Sequence, residues 1–226
     1  MPDAPTPEPS PYYSDDHVTI YHGDCSELVT AVPCPDFVIA DPPYGISYSI
    51  TPTIQGKGGR KWRMGGQAPV VGDDELFNPA HLLQFERLVL FGANYYADQL
   101  PASGGWVVWD KSDGGRGPTN SFTDVELAWT NVATQPVIFR HLWKGFTRAT
   151  ECGQKVLHPT QKPVALMAWL LERWTEPGDL VLDPYMGSGP VARAAKDLGR
   201  RCVGIEIEER YCEIAARRCA QEVLAL

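Results

Sequence analysis

A strand, a glycine-rich loop and a helix follow one another late in the sequence, and they constrain the fold more than any other segment. The apolar run Leu180–Asp183 is typical of a buried strand, residues 184–189 form the loop, and a proline opens the helical pattern of residues 190–195. Glycines let such a loop approach a ligand, and the helix start offers unpaired N–H groups to an anion. The next apolar run ends in Glu206, where acidic residues bind ribose hydroxyls. The unit predicts a nucleotide cradle in a parallel α/β sheet.

A second apolar run, Phe37–Ala40, ends in Asp41, Pro42, Pro43 and Tyr44. Because both prolines fix φ and lack an N–H, the carbonyl groups here form a corner that only accepts hydrogen bonds. The Asp41 carboxylate and the aromatic face of Tyr44 complete a site for a flat amine that donates two hydrogen bonds while its ring is stacked. Adenine or cytosine flipped out of a duplex has this chemistry. The alternative is a simple turn after a strand, with Asp41 as a surface acceptor.

The order of three motifs carries a family resemblance. Residues 41–44 resemble the catalytic motif of the DNA amino-methyltransferases, and residues 183–189 are similar to their S-adenosylmethionine loop. Residues 158–163, with the sequence HPTQKP, resemble the remaining cofactor motif. The catalytic motif precedes both, which is the order of the beta-type permutation. The chain is therefore similar to the beta-type DNA amino-methyltransferases, which methylate adenine N6 or cytosine N4.

The resemblance implies an α/β fold with a single Rossmann-like methyltransferase domain, whose mostly parallel twisted sheet has an antiparallel edge and a circularly permuted motif order. The apolar runs predict strands near residues 18–21, 37–40, 88–91, 106–109, 125–129, 137–141, 180–182 and 202–205. Helical patterns fall near residues 26–32, 79–85, 95–100, 163–174, 191–198 and 208–222. Little helix separates the strands between residues 106 and 141, which favours the antiparallel edge. In the family sheet, the strand that ends at Asp183 lies beside the strand that ends at Asp41.

Three features depart from the family pattern. Tyr185 stands where the family usually has Phe, and Pro190 stands where Thr is common. Tyr keeps the aromatic face, and proline at the first helical position loses only an N–H that has no intrahelical partner. Only the segment 145–157 stands where family members with elaborate target-recognition domains have long insertions, so it is expected to be a short remnant of such a region.

The resemblance assigns catalysis to Asp41, Pro42 and Tyr44. Hydrogen bonds from the target amine to the Asp41 carboxylate and the Pro42 carbonyl would draw the nitrogen toward a tetrahedral shape and free its lone pair. Tyr44 would stack on the flipped base, so positioning and electrostatic preorganisation would carry most of the acceleration. No metal is expected.

The resemblance also assigns S-adenosylmethionine as the cofactor. Its expected contacts are Asp24, Asp41, Thr160, Lys162, Asp183, Tyr185, Gly187, Ser188, Gly189 and Glu206. Among them, Glu206 would bind the ribose, Asp24 the adenosine end, and Thr160 and Lys162 the methionine carboxylate. The alternatives are a solvated strand-end carboxylate for Glu206, a cation without a partner for Lys162, and a local cap on the glycine loop for Asp183.

The formal net charge of −8 opposes general nucleic-acid binding, so a DNA surface must be local. One basic stretch with an interleaved aromatic is expected to contact double-stranded DNA: Lys57, Arg60, Lys61, Trp62 and Arg63. It lies in a segment, 51–72, that is expected to be a flexible basic loop, and a solvated loop without a DNA role is the alternative. A second basic segment is more scattered: Arg140, His141, Lys144, Arg148 and Lys155.

Length and composition fit one catalytic domain over residues 13–226, after a proline-rich tail, residues 1–12, that is expected to be disordered. No stretch reaches membrane-spanning length, and the start lacks the pattern of a signal peptide. The six cysteines include no C-x-x-C pair, which favours reduced thiols and a cytoplasmic location. Oligomeric state is left open, with a homodimer as one possibility, and so is a paired restriction nuclease.

By the family resemblance, aspartate at position 41 implies adenine N6 as the target, with cytosine N4 as the alternative. A planar amine carried by RNA or by a protein glutamine would also suit the pocket, although the permuted motif order favours DNA. Two other classes remain open. A dinucleotide-dependent oxidoreductase shares the strand, glycine loop and helix, and Ala192 is tolerated at the third position of its glycine motif. The other class is a catalytically silent nucleic-acid-binding module.

Overall fold

A nine-stranded sheet organises the part of the chain that the computed structural model describes, which comprises residues 9–47, 53–55, 61–63, 70–112, 123–144, 147–152, 157–158 and 160–221. The strands of the described residues are β1 (Tyr13–Ser14), β2 (Val18–His22), β3 (Phe37–Ala40), β4 (Thr53–Gln55), β5 (Lys61–Arg63), β6 (Leu88–Phe91), β7 (Trp106–Asp110), β8 (Val125–Thr130), β9 (Val137–Arg140), β10 (Trp143–Lys144), β11 (Thr147–Arg148), β12 (Leu180–Asp183) and β13 (Arg201–Glu206). The helices are α1 (Cys25–Leu28), α2 (Val164–Trp174), α3 (Pro190–Asp197) and α4 (Glu209–Ala220).

The centre of the sheet is parallel, and one side of it is mixed. The strand order is β1-β2-β13-β12-β3-β6-β8-β7-β9. Strands β2, β13, β12, β3 and β6 run parallel to one another, while β8 is antiparallel to both β6 and β7. Strand β12 pairs directly with β3, with Val181 opposite Phe37. The predicted α/β class, the antiparallel edge and the adjacency of these two strands are confirmed.

Both faces of the sheet are covered. One apolar core packs the sheet against α2, α3 and α4, and the other packs it against α1 and the segment 77–96. Strands β3, β6 and β12 are buried along their whole length, as expected for strands with covered faces. Helix α3 lies close to α4, because a Cβ on Gly189 would come within 2.8 Å of the Ala215 Cβ. None of the described helices is long and apolar enough to cross a membrane.

The α-helices predicted before and after β6 are replaced by turns. Residues 79–85 form only turns, closed by the hydrogen bond from Leu82 N–H to the Pro79 carbonyl at 2.8 Å. The predicted helix at 95–100 is replaced by two single 3₁₀ turns, Ala93–Tyr95 and Ala97–Gln99. Each segment is too short to repay the cost of helix nucleation, so packing against the sheet decides its conformation.

Two predicted boundaries differ in detail from the described chain. The Tyr12 N–H donates to the Ile20 carbonyl at 2.7 Å, so the ordered sheet edge reaches into the segment expected to be a tail. Within the predicted basic loop, β4 and β5 form an antiparallel pair, with Ile54 opposite Trp62. The remaining residues of segment 48–69, and residues 1–8, lie outside the described part of the chain.

Candidate active site

Three carboxylates meet at the carboxyl edge of the parallel strands. Asp41 follows β3, Asp183 ends β12, and Glu206 ends β13. These strands are adjacent, so the sheet brings together residues that are far apart in the sequence. Open α/β sheets bind their ligands at this edge, outside the carboxyl ends of the strands. The candidate active site is therefore rich in negative charge.

The glycine loop is held by Glu206. The Gly187 N–H donates to Glu206 Oε2 at 2.7 Å, and the Glu208 N–H donates to Oε1 at 2.8 Å. Burial raises the pKa of the Glu206 carboxyl, although these backbone hydrogen bonds oppose the shift. The Gly23 N–H donates to the Glu206 carbonyl at 2.9 Å, which places the end of β2 beside this carboxylate. Glu206 is thus a buried acceptor that shapes the loop, and it is not a strand-end group in free solvent.

Asp183 is the most deeply buried of the three carboxylates, with 3% of its surface exposed. The Tyr185 N–H donates to its Oδ1 at 3.3 Å, a long hydrogen bond that forms the local cap expected as the alternative for this residue. Burial raises the pKa of the Asp183 carboxyl well above its usual value, and the charges of Asp41 and Glu206 raise it further. A cationic ligand in the cleft would relieve this electrostatic cost.

Asp41 is held on both oxygens by side chains. The Tyr44 hydroxyl donates to Oδ1 at 2.6 Å, and the Lys162 ammonium donates to Oδ2 at 2.6 Å. The Asp41 side chain retains 20% exposure, so it still borders the cleft. Burial raises the pKa of its carboxyl and the Glu126 charge adds to the effect, while Lys162 opposes both.

Behind Asp41 lies a second carboxylate, Glu126 on β8. Its Oε1 is 2.7 Å from the Lys162 ammonium and 3.0 Å from the Tyr44 hydroxyl, and its Oε2 is 2.5 Å from the Lys111 ammonium. Burial alone would raise the pKa of Glu126, but the two ammonium groups outweigh it and hold the pKa well below its usual range. Asp41, Glu126, Lys162, Lys111 and the Tyr44 hydroxyl are called the buried ion network below.

The ring of Tyr44 is packed against the end of β6. A Cβ on Gly92 would lie 2.0 Å from Tyr44 Cε1, and Gly92 has a φ of +66°, so glycine is required there on both counts. The exposed Tyr95 ring stacks on Tyr44, with centroids 5.4 Å apart and planes 19° apart. The ring therefore lies beside a second aromatic that reaches solvent.

Asp73 anchors the backbone of the catalytic motif. Its Oδ1 accepts hydrogen bonds from the N–H groups of Tyr44 at 3.0 Å, Gly45 at 2.9 Å and Ile46 at 3.3 Å. The Asp73 carbonyl accepts from the Ser47 N–H at 2.8 Å. The carboxylate of Asp73 thus binds three consecutive N–H groups and its backbone carbonyl binds the fourth, which fixes the approach of Tyr44.

Several predicted cofactor residues have protein partners in the structure. The Lys162 side chain is 5% exposed and lies in the buried ion network. The alternative interpretation, a cation without a partner, is therefore wrong for this residue. Thr160 contacts His158 Nδ1 through its N–H and its hydroxyl, at 3.3 and 3.1 Å. The Ser188 hydroxyl donates to Gln161 Oε1 at 3.3 Å. The assignment of these side chains to a cofactor stays a prediction.

Two further residues predicted to contact the cofactor also have protein partners. Asp24 caps α1, where its Oδ1 accepts from the N–H and the hydroxyl of Ser26, each at 2.7 Å. The Tyr185 hydroxyl lies 2.9 Å from His81 Nε2. The predicted DNA contacts are not tested: Lys57 and Arg60 lie outside the described residues, and only the backbone of Lys61–Arg63 is described.

Glu126, Lys111 and Asp73 were missed by sequence reasoning. Glu126 occurs within a strand of otherwise ordinary β pattern. Residues two positions apart on a strand share a face, so only the burial of Ala128 shows which face Glu126 occupies. Asp73 follows a glycine in a stretch that resembles any polar turn. No short motif marks these residues, because their partners are distant in the sequence.

Comparison with known proteins agrees with this geometry. Residues 106–217 match the family model N6_N4_Mtase, described as DNA methylase. The chain is 46% identical over 65 residues to the type II methyltransferase M2.DpnII of Streptococcus pneumoniae, covering 29% of this chain and 24% of that protein. It is 42% identical over 77 residues to the type II methyltransferase M.HinfI of Haemophilus influenzae, covering 34% of this chain and 21% of that protein. The matched segments thus span less than a quarter of the length of either relative.

Solved structures share the fold over almost the whole chain. A complex of M1.HpyAVI with SAM superposes with a TM-score of 0.60 at 23% identity, covering 90% of this chain and 100% of that chain. The PvuII DNA methyltransferase, described as cytosine-N4-specific, has a TM-score of 0.64 at 16% identity, covering 96% of this chain and 91% of that chain. The resemblance inferred from the three motifs is confirmed. Over residues 106–217 this chain is thus similar to the DNA methylase family.

Proposed function

We propose that this chain is an S-adenosylmethionine-dependent DNA methyltransferase that acts on the exocyclic amine of a flipped base, with adenine N6 as the target. The observation that carries the proposal is the meeting of Asp41, Asp183 and Glu206 at one edge of three adjacent strands. This edge combines a cleft for a cationic nucleoside with an acceptor site for an amine.

The charge of the cleft favours S-adenosylmethionine over a dinucleotide. Burial raises the pKa of both Asp183 and Glu206, so a cationic ligand placed beside them would stabilise both ionised carboxylates. S-adenosylmethionine carries a sulfonium and an ammonium, whereas the pyrophosphate of a dinucleotide would be repelled here. The chain would hold the cofactor with Glu206 at the ribose, Asp24 at the adenosine end and Asp183 near the methionine part.

Thr160, Lys162, Tyr185, Gly187, Ser188 and Gly189 complete the proposed cofactor set. Gly187 and Gly189 allow close backbone approach, because both have positive φ and lack a side chain. The Lys162 ammonium binds Asp41 in the structure. Its main proposed role is therefore to hold Asp41, and contact with the cofactor carboxylate is secondary. When bound, S-adenosylmethionine supplies the methyl group.

The catalytic motif would prepare the target amine. The Asp41 carboxylate and the Pro42 carbonyl accept the two N–H groups, which draws the nitrogen lone pair out of the aromatic ring. As the N–C bond forms and the S–C bond breaks, the amine loses one proton, which Asp41 is placed to accept. Tyr44 would support the flipped base, and the exposed Tyr95 beside it extends the aromatic surface. This chemistry requires no metal.

The DNA partner follows from the family and from one local basic stretch. Lys57, Arg60, Lys61 and Arg63 would neutralise phosphates, and Trp62 would stack on a base or fill the gap left by flipping. A cytoplasmic enzyme that acts on double-stranded DNA within a restriction-modification system fits this assignment, and cytosine N4 is the second candidate target. A homodimer remains compatible with it.

Methyl transfer to DNA tests the proposal directly. The protein is incubated with labelled S-adenosylmethionine and mixed-sequence duplex DNA, and the nucleosides are then identified by mass spectrometry. We expect N6-methyladenine, and N4-methylcytosine would correct the base while keeping the reaction. Calorimetry with S-adenosylmethionine and with NAD separates the classes: uptake of NAD alone would support an oxidoreductase, and uptake of neither would support a silent DNA-binding module.

A further inference from the structure

Glu126 belongs to none of the sequence motifs, yet it lies against the catalytic carboxylate. It projects from β8, which is separated from the Asp41 strand by β6 alone. Its side chain is 15% exposed, and both of its oxygens face cations of the buried ion network. Burying a carboxylate costs free energy of desolvation, which the two adjacent ammonium groups offset.

Both groups that occupy Asp41 also reach Glu126. Lys162 lies 2.6 Å from Asp41 Oδ2 and 2.7 Å from Glu126 Oε1. The Tyr44 hydroxyl lies 2.6 Å from Asp41 Oδ1 and 3.0 Å from the same Glu126 oxygen. A hydroxyl has one proton to donate, so Tyr44 hydrogen-bonds one carboxylate at a time. Glu126 Oε1 is therefore a ready acceptor for each group that Asp41 releases.

A target amine needs these Asp41 oxygens. In the structure each oxygen already accepts a hydrogen bond from a strong donor, and an N–H group that approaches from the same direction displaces that donor. Without another acceptor nearby, the displaced ammonium or hydroxyl would be left buried and unpaired, which costs about 1–3 kcal/mol or more. Glu126 removes that cost, because the exchange keeps every donor satisfied.

We propose that Glu126 is a positioning residue that takes over Lys162 and the Tyr44 hydroxyl while Asp41 receives the target amine. The inference rests on the proposed function and deepens it. Lys111 completes the arrangement, because its ammonium binds the far oxygen Oε2 and keeps Glu126 ionised and in place.

The charged groups around Asp41 set the direction of its titration. Lys162 in the loop before α2 and Glu126 on β8 lie closest to it. Lys111 follows β7 and acts through its contact with Glu126, and Asp183 lies at the end of β12. The Tyr44 and Tyr96 hydroxyls also face this region. The Glu126 charge raises the pKa of Asp41. Its loss must lower the pH at which Asp41 ionises, whereas loss of the Lys111 cation must raise that pH.

Glu126→Gln tests the role. We expect turnover to fall by about 10²-fold, the scale of one lost electrostatic group in an active site, while the Kd for S-adenosylmethionine changes less than about twofold. The acid limb of the pH–rate profile should move to lower pH, and Glu126→Asp should restore part of the turnover. Glu172→Gln, at an exposed glutamate of α2, is the matched control and should behave as the wild type.

Lys111→Gln should shift the pH–rate profile in the opposite direction to Glu126→Gln. It therefore tests the role of Glu126 even if the Glu126 variant misfolds. Its acid limb should move to higher pH. The titration of the Asp41 carboxyl, followed by ¹³C NMR in the wild type and both variants, should show the same two directions without any need for activity. Wild-type protein that transfers no methyl group would overturn the proposed function alone. Unchanged turnover in Glu126→Gln, or an Asp41 titration that does not shift in opposite directions in the two variants, would overturn the role of Glu126.

Discussion

The two halves of the carboxyl edge use the same type of residue in opposite ways. In the half formed by β12 and β13, Asp183 and Glu206 accept backbone N–H groups and have raised pKa values. In the half formed by β3 and β8, Asp41 and Glu126 share the Lys162 ammonium, and Glu126 also binds the Lys111 ammonium. Within the described residues, no ion pair joins Asp183 or Glu206 to a cation, whereas the second half brings its own cations.

This difference matches the two ligands of the proposed function. A cationic cofactor can neutralise carboxylates that the protein leaves without counter-ions, so the β12–β13 half gains electrostatic stability when it binds. A target base is neutral and cannot compensate a buried charge. The β3–β8 half must therefore be balanced before the base arrives, and it can only exchange partners within a fixed set of donors and acceptors.

The largest expected effect comes from removing the carboxylate of the balanced half. Asp41→Ala should lower methyl transfer by about 10³-fold or more, because the amine loses its acceptor and Lys162 loses a partner. The Kd for S-adenosylmethionine should change little, which calorimetry would measure. A large loss of cofactor affinity would show that the two halves are not separate.

Gly92→Ala should damage the balanced half through the backbone. The added Cβ would collide with the Tyr44 ring at a positive φ, so the free energy of unfolding should fall by about 1–3 kcal/mol and turnover should fall with it. Denaturant unfolding measures the first effect. In a Tyr44→Ala background the same change should cost less, because the ring is gone. Equal costs in both backgrounds would mean that the contact does not limit position 92.

Glu206→Ala removes a carboxylate from the β12–β13 half. S-adenosylmethionine binding should weaken by about 1–3 kcal/mol, since a charged acceptor for the ribose is lost and the Gly187 N–H loses its partner. Calorimetry gives the value, and Glu208→Ala, at the neighbouring glutamate, is the control. Unchanged affinity would leave Glu206 with a structural role in the glycine loop only.

Asp183→Asn gives the smallest and most diagnostic change. Because the folded-state pKa of Asp183 is raised, its carboxyl reduces stability as pH rises through that pKa, and the penalty is complete above it. The neutral variant should therefore melt about 2–4 °C higher without cofactor at neutral pH, the shift expected per kcal/mol in a chain of this size. At pH 3, where both states are protonated, the difference should vanish. A lower Tm at neutral pH would mean that the cap to Tyr185 outweighs the buried charge.

The sequence was sufficient wherever a local pattern decides the structure. Buried runs ending in Asp41 and Asp183 predicted two strands, and the motif order predicted that they pair, which the register of β3 and β12 confirms. The helical pattern at 79–85 was misleading, because its apolar residues pack on the sheet from turns. Glu126 escaped prediction for a different reason: its importance depends on Lys162 and Tyr44, whose proximity is created only by the sheet.

The contacts of Asp73 determine how freely the neighbouring segment can vary in length and sequence. Its carboxylate and carbonyl bind the N–H groups of residues 44–47, which lie more than twenty residues earlier in the chain. These hydrogen bonds hold together the two ends between which the segment 48–69 runs. Doubling the length of a closed segment adds only about 0.6 kcal/mol of chain entropy. Insertions, deletions or exchanges of this basic segment can therefore be accommodated without moving Tyr44. The anchor makes the segment a replaceable module, so the proposed contact with DNA would be free to diversify while the proposed chemistry stays constant.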